Sequence, residues 1–281
     1  MKKKITEGFK PEGQPDLKYY AFDWDDNIVH MPTKIIVLND KGEEVGMGTE
    51  DFAEYRSKIG KGPFNYNGET IVDFAPNAFR NFRVDGDKQF LLDAMKAKTG
   101  PAWDDFVEAI NNGSIFSIIT ARGHNPRTLK EAVYNYIISD FKGISKNELL
   151  KSLKKYRSFV GEDEMSDSEL IKTYLELNKY HPVSFGDEGG ATNPEEAKVV
   201  AMKDFVNYIK GMAAILNKKA YLKSDIGNKF IPDKPVIGFS DDDLRNIEVM
   251  KKAFKDKPED RKSTRLNSSH VALSRMPSSA W

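Results

Sequence analysis

The sequence predicts a doubly wound α/β domain: a parallel, Rossmann-like sheet with helices on both faces, a flap hairpin and helical insertions. Three observations predict it. Short apolar runs at 19–22, 115–119 and 235–239, rich in aromatic or β-branched residues and bounded by polar ones, read as buried strands. Each run ends in polar chemistry: Asp23-Trp24-Asp25-Asp26-Asn27, Thr120-Ala121-Arg122-Gly123-His124-Asn125, and Ser240-Asp241-Asp242-Asp243. Helical patterns stand between the runs, and strand, short polar loop, helix is the grammar of a parallel sheet.

Residues 1–16 are polar, with Gly and Pro, and predict a loose lead-in. A strand over about 17–23 delivers the first acidic cluster. Two β-prone runs, Lys34–Leu38 and Glu43–Met47, flank Asn39-Asp40-Lys41-Gly42 and predict a hairpin placed to fold over that cluster as a flap. Between 50 and 100 the pattern predicts short helices near 50–58 and 87–97, with aromatic loops between them (Phe64, Tyr66, Phe74, Phe79, Phe82). This reads as an insertion or cap and not as a regular layer, its aromatics forming a small core. Trp103, Phe106, Val107 and Ile110 at helical spacing predict a helix over 101–111, ended by Asn112-Gly113. A helix over 127–139 follows the second strand.

Charged helices over 145–156 and 166–178 flank an acidic loop, Gly161-Glu162-Asp163-Glu164, and present a solvated face. Pro182-Val183-Ser184-Phe185 reads as a further core strand, with a loop over 186–190. Thr192-Asn193-Pro194-Glu195 opens a long helix running to about 216. Pro suits the first turn, and Thr with Glu three residues later is a capping box. After the last strand, Leu244, Ile247, Met250 and Phe254 share one face of a helix over about 243–255. The tail from about 262 lacks acidic residues and any amphipathic period, and Leu266–Arg275 resembles translated sequencing-adapter sequence. It is set aside as non-native, so the native C-terminus is expected to be missing, with a final strand or helix. One domain over 17–261, with insertions at about 50–100 and 140–190, is the expected organisation.

Composition narrows the function classes. The chain has 281 residues, 39% hydrophobic and 31% charged, enough to bury a core and stay soluble. Its 43 basic and 43 acidic residues cancel, which gives no hint of a protein that wraps nucleic acid or coats a membrane. With no cysteine, disulfides, thiolate catalysis and zinc–thiolate sites are excluded. Met1-Lys2-Lys3-Lys4 precedes no apolar stretch, so no signal peptide is expected, and no run reaches the ~20 apolar residues of a membrane helix. A cytoplasmic location is the expectation.

The chemistry lies at the strand ends. Three carboxylates in four positions repel one another unless a cation sits among them or the site protonates. Asp23, Asp25 and Asn27 match the opening of a calcium-binding EF-hand loop, but the sixth and twelfth positions hold Ile28 and Lys34 where Gly and Glu are needed. A parallel sheet brings all three strand ends to one edge. There, two acidic ends can hold Mg²⁺, a threonine hydroxyl with backbone N–H groups can hold a phosphate, and a carboxylate can attack it. The bland reading of each stretch alone is a solvated turn; the convergence of the three favours a site.

In this pattern the chain resembles haloacid dehalogenase (HAD) superfamily phosphatases. Asp23-Trp24-Asp25 stands as their first motif, Thr120 as the second, a lysine early in a later helix as the third, and Ser240–Asn246 as the acidic fourth. The resemblance covers roughly 17–45, 101–140 and 192–256. It implies that Asp23 is a nucleophile forming an aspartyl-phosphate and that Asp25 is the general acid–base. It also implies that Thr120, with Ala121 and Arg122 beside it, binds the phosphoryl group. Mg²⁺ would be held by Asp23, the backbone carbonyl of Asp25 and Asp242, with Asp241 the alternative direct ligand and Asn246 close by. Lys198 is the preferred lysine and Lys203 the alternative; an ordinary exposed helix lysine is the bland reading of both. Arg122 reads equally as a phosphate contact or a surface salt bridge, and His124 as an exposed loop residue. Where the family has Gly-Thr or a similar pair, this chain has Asp26-Asn27. The activity implied is Mg²⁺-dependent hydrolysis of a small phosphorylated substrate. The alternatives are a catalytically silent phospho-ligand or partner binder, and a nucleic-acid end-processing phosphatase. The last predicts a basic groove, which the neutral balance does not support.

Overall fold

The computed structural model describes residues 18–160, 164–186, 193–223, 236–255 and 265–269. The expected lead-in, most of the acidic loop at 161–163, residues 187–190 and Thr192 lie outside the described residues. Strands along the chain are β1 (Tyr19–Phe22), β2 (Val29–His30), β3 (Ile35–Asn39), β4 (Glu44–Met47), β5 (Phe64–Tyr66), β6 (Glu69–Phe74), β7 (Lys98–Thr99), β8 (Ile115–Thr120), β9 (Lys179–Pro182), β10 (Val236–Ser240) and β11 (Arg265–Ser269). Helices are α1 (Thr49–Tyr55), α2 (Asp87–Ala94), α3 (Trp103–Asn111), α4 (Pro126–Ile138), α5 (Lys146–Val160), α6 (Asp167–Leu177), α7 (Pro194–Lys223) and α8 (Leu244–Lys255).

Four strands in the order β10-β1-β8-β9 form a parallel sheet flanked by helices, an arrangement compatible with a Rossmann-like fold. Side chains of a strand alternate between faces, and β1 shows what that does here. Tyr19 and Ala21 join an apolar cluster with Met202, Phe205 and Ile209 of α7 and Ile247 and Met250 of α8. Phe22 joins the other cluster, with Phe106 of α3, Leu129 and Val133 of α4 and Tyr174 of α6. Both faces are therefore covered, which is why β1 and β8 read as near-continuous apolar runs. The register sets Phe22 beside Ser240 on one side and Ile118 on the other. Because β1 is followed in space by β8 on one side and β10 on the other, the sheet reverses its order at β1. The crevice outside the strand ends at such a reversal is where open α/β sheets bind ligands.

The first insertion differs from the sequence expectation. The stretch expected as aromatic loops contains β5 and β6, and β4-β3-β6-β5 is a four-stranded antiparallel sheet with a register shift at Leu38/Asn39. The signal was present: Asn67 and Gly68 both have positive φ, 52° and 87°, as a two-residue hairpin turn requires. The expected hairpin of β3 and β4 is there, and buried Asn39 closes its turn by accepting from the N–H groups of Lys41 and Glu43. Tyr66 is buried with Val37, Met47 and Ile71, and Phe64 and Phe74 pack against them, as the small-core reading expects.

Further along, the strand expected at 182–185 runs over 179–182 instead. Asn178 anchors its start by accepting from Phe116 N, and Phe185 N donates to Pro182 O in a turn. Proline, lacking an N–H, is tolerated here because β9 is an edge strand. Helix α7 is capped by Asn193, which accepts from Glu196 N, with Pro194 in the first position. Residues 265–269 of the segment set aside as a tail run parallel to β10. That pairing uses main-chain groups, which any sequence supplies.

Gly100 marks the tightest backbone approach. A Cβ there would lie 2.4 Å from Asn27 O, whereas one on Gly211 in α7 would meet nothing within 4 Å. Gly100→Ala is therefore expected to lower stability by about 2 kcal/mol, and Gly211→Ala to raise it by roughly 0.5–1 kcal/mol. Urea unfolding midpoints check both.

Candidate functional site

Asp23 leaves the end of β1 with its N–H donating to Ser240 O at 3.0 Å, which ties the ends of β1 and β10 together. Alternation then sends Trp24 into the core, fully buried against Phe90 and Tyr136, and leaves Asp23 and Asp25 on the crevice side. The chain turns at Asp26, whose φ of 55° lies in the left-handed region. Aspartate tolerates that region better than most residues. Asn27 does more than cap the turn. It is fully buried, its amide donates to Asp23 O and Ser240 O, and its oxygen accepts from the Ser240 hydroxyl at 3.0 Å.

This stitching sets Asp23 beside the second acidic group. One carboxylate oxygen from each of Asp23, Asp241 and Asp242 lies within 4.8 Å of the others. Lys198, in the second turn of α7 and 3% exposed, stands between two of them. Its Nζ is 2.8 Å from Asp241 Oδ2 and 3.2 Å from Asp23 Oδ1. Asp241 is fully buried and saturated, its other oxygen accepting from Asn246 Nδ2 and Asp243 N. Asp23 Oδ1 is buried and accepts no hydrogen bond. Asp242 faces the cavity. Lys203, the alternative lysine, is exposed.

Three carboxylates and one ammonium leave an excess of negative charge in a poorly hydrated place. Burial, outweighing the opposing pull of Lys198, raises Asp23 well above the usual carboxylate range, and Asp241, Asp242 and Asp25 push the same way. Asp242, open to solvent along one side, is pushed up to about 7 by the protein crowded around it and then by Asp241. Burial works to lower Lys198, but the charges of Asp23 and Asp241 prevail and hold it above the ordinary lysine value. A hard cation with oxygen ligands fits this donor set: three converging carboxylates, one carrying a buried oxygen that lacks a hydrogen-bond donor.

The second strand end supplies a different group. Thr120, 1% exposed, accepts from Arg122 N at 3.4 Å, which leaves its own O–H to donate. Arg122 is not at the surface. It is 1% exposed and grips Asp25 bidentately, Nε to Oδ2 and Nη2 to Oδ1, both at 2.7 Å. Nη2 also donates to Thr33 and Nη1 bonds to His124, while the guanidinium lies over the rings of Phe82 and Phe90. The surface salt bridge considered for Arg122 is thus a buried clamp, and most of its donors are engaged away from a phosphate. His124, expected to be exposed, is fully buried.

The groups meet in a cavity of about 320 Å³. Asp23, Asp25, Thr120, Ala121, Arg122, Lys198 and Asp242 line it; Asp241 stands behind them. Its roof comes from the hairpin, through Ile35, and from the first insertion, through Phe52, Arg56, Phe79 and Phe82; among the described residues the second insertion contributes only Ser184. The first insertion therefore covers the site. Phe79 and Phe82, expected in the small core, line the cavity, and Phe79 also packs on Phe52 and Phe74 of that core. No protein-family model, curated protein or solved structure matches the chain.

Sequence reasoning named residues that the structure brings together but missed Asn27's stitching and the partners of Arg122. The spacing Arg122-Gly123-His124 held a usable signal, since residues two apart in extended chain share a side. Lys198→Met leaves two buried carboxylates without their cation and is expected to cost about 3–5 kcal/mol in urea unfolding. Lys203→Met, on the exposed side of the same helix, should stay within about 0.5 kcal/mol.

Proposed function

We propose that the protein is a Mg²⁺-dependent phosphomonoester hydrolase of the HAD superfamily type, acting through an aspartyl-phosphate on Asp23. One observation carries the reading. A buried lysine, Lys198, lies between Asp23 and Asp241, at a strand-end crevice that also holds Asp25, Thr120 and Asp242. That combination serves attack by one anion on another.

Asp23 is the nucleophile. Its Oδ1, which Lys198 Nζ approaches to 3.2 Å, attacks phosphorus, and the bond from phosphorus to the leaving oxygen breaks. Lys198 offsets the repulsion between carboxylate and phosphate, and the Thr120 hydroxyl donates to a phosphoryl oxygen. Asp25 gives its proton to the leaving oxygen, then takes one from the water that opens the aspartyl-phosphate and frees Asp23. Asp23, Asp242 and the backbone carbonyl of Asp25 would hold Mg²⁺, with Asp241 orienting Lys198 and the loop behind. When bound, the ion supplies charge neutralisation for the phosphoryl oxygens. The size of the cavity, near the lower end of ordinary ligand sites, favours a small substrate.

Hydrolysis of p-nitrophenyl phosphate is expected to require Mg²⁺ and to stop on chelation. Asp23→Asn should lower kcat on the order of 10³-fold or more, as loss of a nucleophile does. Equal rates from Asp23→Asn and wild type, both folded, would remove the nucleophile assignment.

A further inference from the structure

Asp25 is held by a chain of contacts, centred on the buried side chains of Arg122 and His124, that the phosphatase reading does not use. The chain begins at the fork of Arg122 on both Asp25 oxygens. Arg122 Nη1 lies 3.0 Å from His124 Nε2, and His124 Nδ1 lies 2.8 Å from Asp87 Oδ1. Asp87, the first residue of α2, is itself fixed, because its other oxygen accepts from the Thr128 hydroxyl at 2.8 Å.

The roles in this chain follow from chemistry. Arginine only donates, so His124 Nε2 must accept. A neutral imidazole that accepts at Nε2 carries its proton on Nδ1, and that proton goes to Asp87. Burial first, and the Arg122 charge second, hold His124 down to about 4, in line with the neutral ring. The imidazole is packed against Phe90, with centroids 4.6 Å apart. It therefore presents Arg122 with a fixed acceptor in a fixed tautomer.

We propose that His124 and Asp87 are positioning residues for proton transfer: they fix Arg122 so that its fork holds Asp25 on the leaving oxygen. The inference rests on the phosphatase reading and concerns one half of each step. As the Asp23–phosphorus bond forms and the ester bond breaks, the proton on Asp25 passes to the leaving oxygen. As water's oxygen bonds to phosphorus and the Asp23 bond breaks, Asp25 takes the water's proton. Neither His124 nor Asp87 gains or loses a proton. Their variants must therefore show the signature of a misplaced acid, which is a loss that grows as the leaving group becomes poorer.

The test compares kcat for p-nitrophenyl phosphate, whose leaving group needs little protonation, with kcat for phenyl phosphate, whose leaving group needs more. His124→Phe keeps the ring packing and deletes the acceptor; Asp87→Ala deletes the anchor. Each is expected to lower kcat on phenyl phosphate about 10- to 100-fold, the range typical of lost support behind a working group. The loss on p-nitrophenyl phosphate should be clearly smaller and KM nearly unchanged. Asp87→Asn keeps an oxygen for His124 Nδ1–H and should retain most of the activity. Should a variant fail to melt cooperatively, Thr33→Val, which removes the Arg122 Nη2 partner seen at 3.0 Å, carries the same test. Equal losses on the two substrates, or none, in folded variants overturn the positioning role while wild type still depends on Asp23. If wild type hydrolyses neither substrate, or Asp23→Asn matches it, the phosphatase reading itself falls.

Discussion

The arrangement depends on one electrostatic constraint: Asp23, Asp241 and Asp242 are forced together around a single ammonium. Like charges at this spacing in a poorly hydrated crevice destabilise the fold unless something compensates. Lys198 compensates in part, bonded to Asp241 and near Asp23. The remaining charge is what a bound cation would balance. Much of the nearby structure serves to hold these groups in place against their repulsion. Asn27 ties one strand end to the next, Asn246 and Asp243 N fix Asp241, and the first turn of α7 is capped so that Lys198 is delivered from a rigid element.

A second consequence is division of labour between two neighbouring carboxylates. Asp23 has a buried oxygen that meets only the Lys198 ammonium at 3.2 Å, whereas Asp25, two residues on, has both oxygens in the fork of Arg122. The environments differ although the residues are alike. In the proposed reaction, this difference would suit one carboxylate to act as nucleophile and the other as proton carrier.

Much of this was legible in the sequence, for identifiable reasons. The strands of the parallel sheet are buried on both faces, so β1, β8 and β10 stand out as apolar runs. Lys198 could be preferred over Lys203 because the Pro194 start fixed the helix phase. Less legible was anything decided by contact across the fold. Beyond the Arg122-Gly123-His124 spacing, nothing local marks Arg122 as buried, since its partner Asp25 meets it only once the loops after β1 and β8 are brought together. The strand at 179–182 was misplaced because Pro182 closes it where proline more often opens one. The β5–β6 hairpin is less legible despite Asn67-Gly68, because β5 is three residues long and shows too little alternation to read as a strand.

The long helix α7 carries Lys198 near one end and buries Met202, Phe205 and Ile209 along the same body. A helix is stiff, so the ammonium cannot be moved without moving those side chains against the sheet. The charge balance of the crevice is thus inherited from hydrocarbon packing several turns away. A change of volume in that distant layer would be registered at the anionic centre as a change of field.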